Sequence, residues 1–136
     1  MFKKLPLVGD YMDTNVPTVH PEMEIFEAVR FLLEHQVSGA PVLDGANELV
    51  GILSEKDCLS LLATGHDHQR ASGTVAEFMT RDVQYIPPDM NVFFAAGMFL
   101  RSVFRRFPVV EKGRLVGAIT RFDILRAIDE SHSNGR

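Results

Sequence analysis

The stretch GILSEKDCL (Gly51–Leu59) returns further along the chain as GAITRFDIL (Gly117–Leu125). Both copies read Gly, two apolar residues, a hydroxyl residue, two variable positions, Asp, one more position and Leu. Working outward from this phrase, the likeness extends upstream. Leu49-Val50-Gly51 matches Leu115-Val116-Gly117, and, once one residue is dropped from the second turn, Pro41-Val42 matches Pro108-Val109. Met23, Phe26, Ala28 and Leu33 meet the same residue types at Met90, Phe93, Ala95 and Leu100, and Pro21, Val16 and Met12 meet Pro88, Val83 and Met79. Two copies are too few for a solenoid, and the period is longer than a solenoid repeat. The chain is therefore an internal duplication of one supersecondary unit.

Each copy carries the same signals. A short extended piece (Val16–Val19, Val83–Ile86) precedes His20-Pro21 or Pro87-Pro88, where a proline can open a helix. Ile25, Ala28, Val29, Leu32 and Leu33 then recur at helical spacing with Glu24, Glu27, Arg30 and Glu34 on the other side. The matching Val92–Leu100 is apolar nearly all round, so more than one of its faces should be covered. A hairpin follows, Ala40–Leu43 and Leu49–Leu53 about Asp44-Gly45-Ala46-Asn47, repeated about Glu111-Lys112-Gly113. A closing helix is expected from Ser54 and from Thr120. The predicted fold is mixed α/β (α+β), two β-α-β-β-α repeats packed about a pseudo-two-fold axis with equivalent clefts between them. The domains read as repeat 1 (1–63), a small polar linker (64–74), repeat 2 (75–128) and a tail (129–136). A single copy of about 50 residues is marginal for folding alone.

Composition narrows the function. With 46% hydrophobic and 24% charged residues in 136, the chain has the balance of a soluble folded domain. A net charge of −4 argues against nucleic acid as a partner. The single cysteine, Cys58, allows no internal disulfide and fits a reducing compartment; its twin is Ile124, so it reads as a core residue. The opening MFKKLPLVGD is interrupted too early by Pro6 and Asp10 for a signal peptide, and Val92–Leu100 is about half a membrane span. A cytoplasmic protein without membrane attachment is expected. His66 and His68 lack a third ligand nearby, and there is no Walker loop or nucleophile–base pair, so neither a metal nor an enzyme is expected. From Arg101 to Arg126, seven basic residues face only Glu111 and Asp123, net +5 in a chain of −4. That run is either a solvated basic face or a field that attracts a polyanionic ligand.

The phrases S-E-K-D and T-R-F-D admit two readings. A hydroxyl residue with an acid three places on resembles a helix capping box, although the box prefers the longer Glu or Gln. Alternatively, the carboxylate accepts the vicinal hydroxyls of a ribose while the hydroxyl residue and helix N–H groups suit phosphate.

Met12 or Met79, Pro41-Val42 or Pro108-Val109, and the G-h-h-[ST]-x-x-D phrase together resemble the CBS domain, named after cystathionine β-synthase. The likeness covers about Val8–Ala63 and Val75–Ile128, as a tandem pair or Bateman module. The resemblance implies a homodimer that binds an adenosine compound (AMP, ADP, ATP or S-adenosylmethionine), regulates a partner protein and catalyses nothing. It implies crossed sites. Site one would join Ile119, Thr120, Phe122 and Asp123 to Val16, Pro17, Val37, Ser38, Gly39 and Ala40. There Asp123 would hold the ribose, Thr120 would approach ribose or phosphate, and Val37 and Ala40 would flank the adenine. Phe122 either stacks on the base or faces the core. Site two, the weaker, would join Ser54 and Asp57 to Val83, Phe104, Arg105, Arg106 and Phe107, where two Phe and two Arg replace small residues and the Arg pair suits phosphates. Phe93, Phe94, Met98 and Phe99 are expected to feed the dimer interface. The rival to this reading is a ligand-free dimerisation or docking module whose Asp residues merely cap helices.

Overall fold

Proline and glycine decide how the chain pairs. The computed structural model describes residues 5–63 and 72–134. Its elements run α1 (Val8–Tyr11), α2 (Ile25–His35), β1 (Gly39–Leu43), β2 (Leu49–Ser54), α3 (Glu55–Ala63), α4 (Val75–Phe78), α5 (Val92–Leu100), β3 (Arg106–Glu111), β4 (Arg114–Thr120) and α6 (Arg121–Asn134). β1 and β2 form one antiparallel hairpin and β3 and β4 the other, each with a register shift just after the Pro-Val pair. Pro41 stands opposite Ile52 in β2, and Ile52 exchanges both of its backbone hydrogen bonds with Thr80 instead. The missing proline N–H therefore leaves no acceptor orphaned. Pro108 opposite Ala118 repeats the device, with Asp13 in the place of Thr80.

The extended pieces before each helix do not become strands. They contribute only single parallel bridges, Val19 to Val42 and Ile86 to Val109. Pro17 and Pro21 on one side, and Pro87 and Pro88 on the other, remove the donors a longer ladder would need. Nor do Pro21 and Pro88 open the helices. The helices start later, where the Glu24 side chain accepts from the Glu27 N–H and the Asn91 side chain accepts from the Phe93 and Phe94 N–H groups. α2 ends on Gln36 in the left-handed conformation at φ 54°.

The chain divides into two compact units, and the cuts do not fall between the repeats. Unit 1 is Met1–Val16 with Gln84–Arg136, and unit 2 is Pro17–Val83. The short leading helix of each repeat thus belongs with the body of the other: α1 packs on β4 and α6, and α4 packs on α2, α3 and β2. The repeated glycines make this docking possible. A Cβ on Gly51 would lie 2.7 Å from Met79 Sδ and 2.9 Å from the Thr80 carbonyl oxygen; on Gly117 it would lie 2.7 Å from Met12 Sδ and 2.8 Å from the Asp13 oxygen. The repeated Met and the repeated Gly are two halves of one contact.

Each unit has its own core. Val8, Ile86, Val92, Ala95, Phe99, Phe107, Val109, Ile119, Ile124 and Ala127 fill unit 1; Val19, Ile25, Ala28, Leu32, Ala40, Val42, Leu53, Leu61, Val75 and Met79 fill unit 2. Phe99 is core, its ring 4.8 Å from that of Phe107, and Met98 is partly buried against the same cluster. Of the four residues expected to feed an interface, only Phe93 and Phe94 stay exposed. The segment 129–136, expected as a tail, is helical as far as Asn134.

Candidate functional site

Both T/S-x-x-D phrases close into reciprocal caps, and they do so with the shorter acid. In unit 2 the Ser54 N–H donates to Asp57 Oδ2 at 2.9 Å while the Asp57 N–H donates to Ser54 Oγ at 3.1 Å. In unit 1 the Thr120 N–H donates to Asp123 Oδ2 at 2.9 Å and the Asp123 N–H to Thr120 Oγ1 at 3.2 Å. Ser54 and Thr120 are the last strand residues, so the helices begin one place later than expected. The capping reading is thus realised in both copies. It does not exhaust either carboxylate, which offers about four acceptor positions.

What holds the other carboxylate oxygen differs between the units. Thr80 Oγ1 donates to Asp57 Oδ1 at 3.1 Å. Asp123 Oδ1 instead takes the Arg126 guanidinium at 3.0 Å, with the Asp123 side chain 15% exposed and that of Arg126 46%. Arg126 also donates to the Tyr11 carbonyl and lies over the Tyr11 ring. The Tyr11 hydroxyl donates to Glu130, and this bond, together with burial and the Glu130 charge, raises the phenol above its usual 10.0. Arg126 stands at i+3 from Asp123, a spacing that a helical reading of the sequence could have used. Thr80 and Tyr11 arrive from distant segments, and no local pattern announces them, whereas Glu130 lies on α6 itself, one turn after Arg126.

The remaining expected residues distribute as follows. Val37, Ser38, Gly39 and Ala40 lie in unit 2, where the Glu55 N–H donates to the Ser38 carbonyl at 2.8 Å. A Cβ on Gly39 would lie 3.1 Å from the Leu53 oxygen, so this turn is closed against β2. Ala40 and Ile119 are closed to solvent and support their neighbours rather than offering surface. Phe122 is 69% exposed, which removes the core-facing alternative for its ring. Val16 ends the first segment of unit 1, while Pro17 and Val83 bound unit 2; all three are half-buried. Phe107 is buried, held between Phe99 and Phe104, and shapes the core of unit 1 rather than a ligand surface. Phe104 is half-exposed and Arg105 exposed. Arg106, paired with Thr120 across the hairpin, buries its Nε with no hydrogen-bond partner among the described residues.

Cys58 is half-buried against the core of unit 2, and burial, then the Asp57 charge, pushes its thiol up. Among the described residues no group of three or more His, Cys, Asp or Glu is placed to hold a metal. His66 and His68 lie outside the described residues. No described helix is long and apolar enough to cross a membrane.

Two duplicated hairpin-and-helix units, each fixing an acid at a helix start, define a tandem repeat pair. The CBS domain family model matches residues 8–64 and 75–130, and the chain belongs to the CBS domain family. It is 33% identical over 121 residues to protein MJ1225 of Methanocaldococcus jannaschii, covering 89% of this chain and 42% of that one. It is 31% identical over 127 residues to a 17.7 kDa protein of Acidianus ambivalens, covering 93% of this chain and 75% of the relative. Some matched relatives are thus much longer than this chain. The A-adding tRNA nucleotidyltransferase of Aquifex aeolicus, 32% identical over 90% of this chain, is spanned over only 14% of its length. Among solved structures, CBSX2 in complex with AMP superposes with TM-score 0.80 at 32% identity, covering 93% of this chain and 98% of that one. The CBS pair of MJ0100 with 5′-methylthioadenosine and S-adenosyl-L-methionine gives 0.77 at 29%, covering 94% and 99%.

Proposed function

We propose that this CBS pair is a regulatory module that binds an adenosine-containing ligand, forms a homodimer and passes the ligand's presence to a partner protein, without catalysis. The observation that carries the reading is the fixed, half-buried carboxylate in each unit. Asp57 and Asp123 are held by backbone N–H groups on one oxygen and still have acceptor positions for the vicinal hydroxyls of a ribose. The AMP, methylthioadenosine and S-adenosylmethionine complexes of similar CBS pairs point to the same ligand class. In this reading Asp123 takes the ribose of site one, with half-buried Thr120 and exposed Phe122 on the same strand-to-helix turn. Arg105 and Arg106 serve the phosphates of site two, and the unpartnered Arg106 Nε supports that role. Soluble, cytoplasmic placement belongs to the same reading.

The rival, a docking module whose acids only cap, draws support from the closed caps. Thermal shift with adenosine, AMP, ATP and S-adenosylmethionine separates the two. A ligand at a hundredfold excess over its Kd adds about 2.7 kcal/mol of stability. No shift with any of the four at millimolar concentration sinks the ligand reading.

A further inference from the structure

We infer that Arg126 is a two-position switch within unit 1: it holds Asp123 until a ribose takes that carboxylate, then turns to Glu130 and loosens α1. This rests on the ribose reading of Asp123 above and adds to it how occupancy of that acid is felt elsewhere in the unit. The first observation is that one nitrogen serves two elements. Arg126 Nη2 donates to Asp123 Oδ1 at 3.0 Å and to the Tyr11 carbonyl at 3.3 Å. The guanidinium is planar and rigid, so it cannot turn away from one acceptor and keep its geometry on the other. Tyr11 of α1 meets α6 at three points: its carbonyl on Arg126, its ring 5.7 Å below the same guanidinium, and its hydroxyl on Glu130. What moves Arg126 therefore moves the hold on α1.

The second observation is that Arg126 has another acid within reach. Asp123 stands three residues before it and Glu130 four after, both spacings at which helical side chains meet. Arg126 pairs with Asp123, while Glu130 accepts the Tyr11 hydroxyl. A vicinal diol donates one hydroxyl to each carboxylate oxygen, so at Oδ1 it competes with the guanidinium. The pair is part-exposed on the arginine side, so displacing it lowers ligand affinity by no more than about fivefold. Glu130 then offers the cation a like pairing in exchange. The twins of Tyr11 and Arg126 in unit 2 are Phe78 and Ser60, and Asp57 Oδ1 takes the neutral Thr80 hydroxyl. The switch thus belongs to the acid of unit 1 alone.

Tyr11 reports the switch. The charged groups about its phenol are Glu130, Asp10 and Arg126, and the bond to Glu130 is the main cause that raises it. Once Arg126 pairs with Glu130, the phenol falls back toward its usual 10.0. The test is titration of tyrosinate absorbance with and without saturating adenosine, which has a ribose but no phosphate to attract arginine. With two tyrosines and no tryptophan in the chain, Tyr85 is the only other contributor. Adenosine should lower the Tyr11 pKa by about half a unit or more in the wild type and leave it unmoved in Arg126→Met. Arg126→Met should also bind adenosine about two- to fivefold more tightly, because the competitor is gone. If that variant does not fold, the wild-type titration decides alone. An unmoved Tyr11 in the wild type, or no tightening in a folded Arg126→Met, overturns the switch and leaves the ribose reading standing wherever Asp123→Asn still weakens adenosine. Binding of neither adenosine nor AMP, or binding indifferent to Asp123→Asn, overturns the ribose reading and the switch with it.

Discussion

Asp57 and Asp123 are twins in sequence, yet the second oxygen of each is satisfied by different chemistry. In unit 2 the bridge residue beside Gly51 is Thr80, and its hydroxyl completes Asp57. The equivalent residue in unit 1 is Asp13, a second acid at the place from which Thr80 reaches its partner. Asp13 turns its carboxylate to the Asn15 N–H at 2.9 Å, and Arg126 takes over Asp123. The twin of Arg126 is Ser60, whose hydroxyl donates to the Asp57 carbonyl. The two positions have therefore changed together, Thr with Ser in one unit and Asp with Arg in the other. Arg126→Ser alone should cost about 1 kcal/mol by removing a part-exposed ion pair beside a second acid. Adding Asp13→Thr should recover most of it, and chemical denaturation of the two single variants and the double measures the coupling.

Asp123 also decides between the two functional readings. Asp123→Asn keeps one acceptor but loses the ion pair and the helix-dipole interaction, together about 1 kcal/mol, or a fall in Tm of about 2–8 °C. If the carboxylate also holds a ribose, affinity for AMP falls about 10- to 150-fold, the worth of one charge-assisted hydrogen bond. A lower Tm with unchanged nucleotide affinity would leave the cap as its whole role. The carboxylate was legible from the phrase alone, and so was the choice between cap and ligand. The sequence does not show that the shorter acid closes the cap, because that depends on how the last strand residue turns into the helix.

At the scale of elements, the hairpins, α2, α5 and the closing helices could all be read from periodicity and turn residues. The exchange of leading helices could not. α1 and α4 are four residues each, too short for any periodic signal, and they are held by contacts with distant residues. The repeated Gly and Met were visible, but their mutual contact was not. Gly117→Ala should cost about 1–3 kcal/mol, since the new methyl meets a bridged carbonyl that cannot retreat without breaking the Asp13–Ala118 bridge. Gly45→Ala, in a turn with open space around it, is the control and should change stability little. The hold on α1 also has a pH signature. Tyr11 is raised in the folded state, so its contribution is complete below the ordinary phenol value and is lost as pH climbs through the raised one. As pH rises through the ordinary phenol value of 10.0 and the raised one above it, the wild type should therefore lose more stability than Tyr11→Phe, by under about 1 kcal/mol at this half-buried surface site. Parallel pH–Tm curves for the two proteins would mean that the bond to Glu130 does not hold α1.

Across the whole molecule, the sequence showed a basic run in an acidic chain, and the structure gives that run an owner. Arg101 to Arg126 lie entirely within unit 1. Within the run, Arg106 is distinctive: it pairs with Thr120 across the hairpin and buries an Nε that nothing in the described residues satisfies. A buried donor without a partner costs about 1–3 kcal/mol, which an anionic ligand group would recover on binding. If phosphates engage the basic residues, ATP affinity should fall steeply as salt rises from about 0.05 to 0.5 M, while adenosine, which carries no phosphate, should hardly respond. Arg106→Met keeps the apolar stem and removes the guanidinium. It should weaken AMP and ATP by about tenfold or more, leave adenosine within about twofold, and raise rather than lower Tm without ligand, because the orphaned donor is gone. Calorimetric titration of the three compounds on both proteins measures all of this. An equal loss for adenosine and ATP would place Arg106 against the base or sugar rather than the phosphates, and no loss for any would return the basic run to solvated surface.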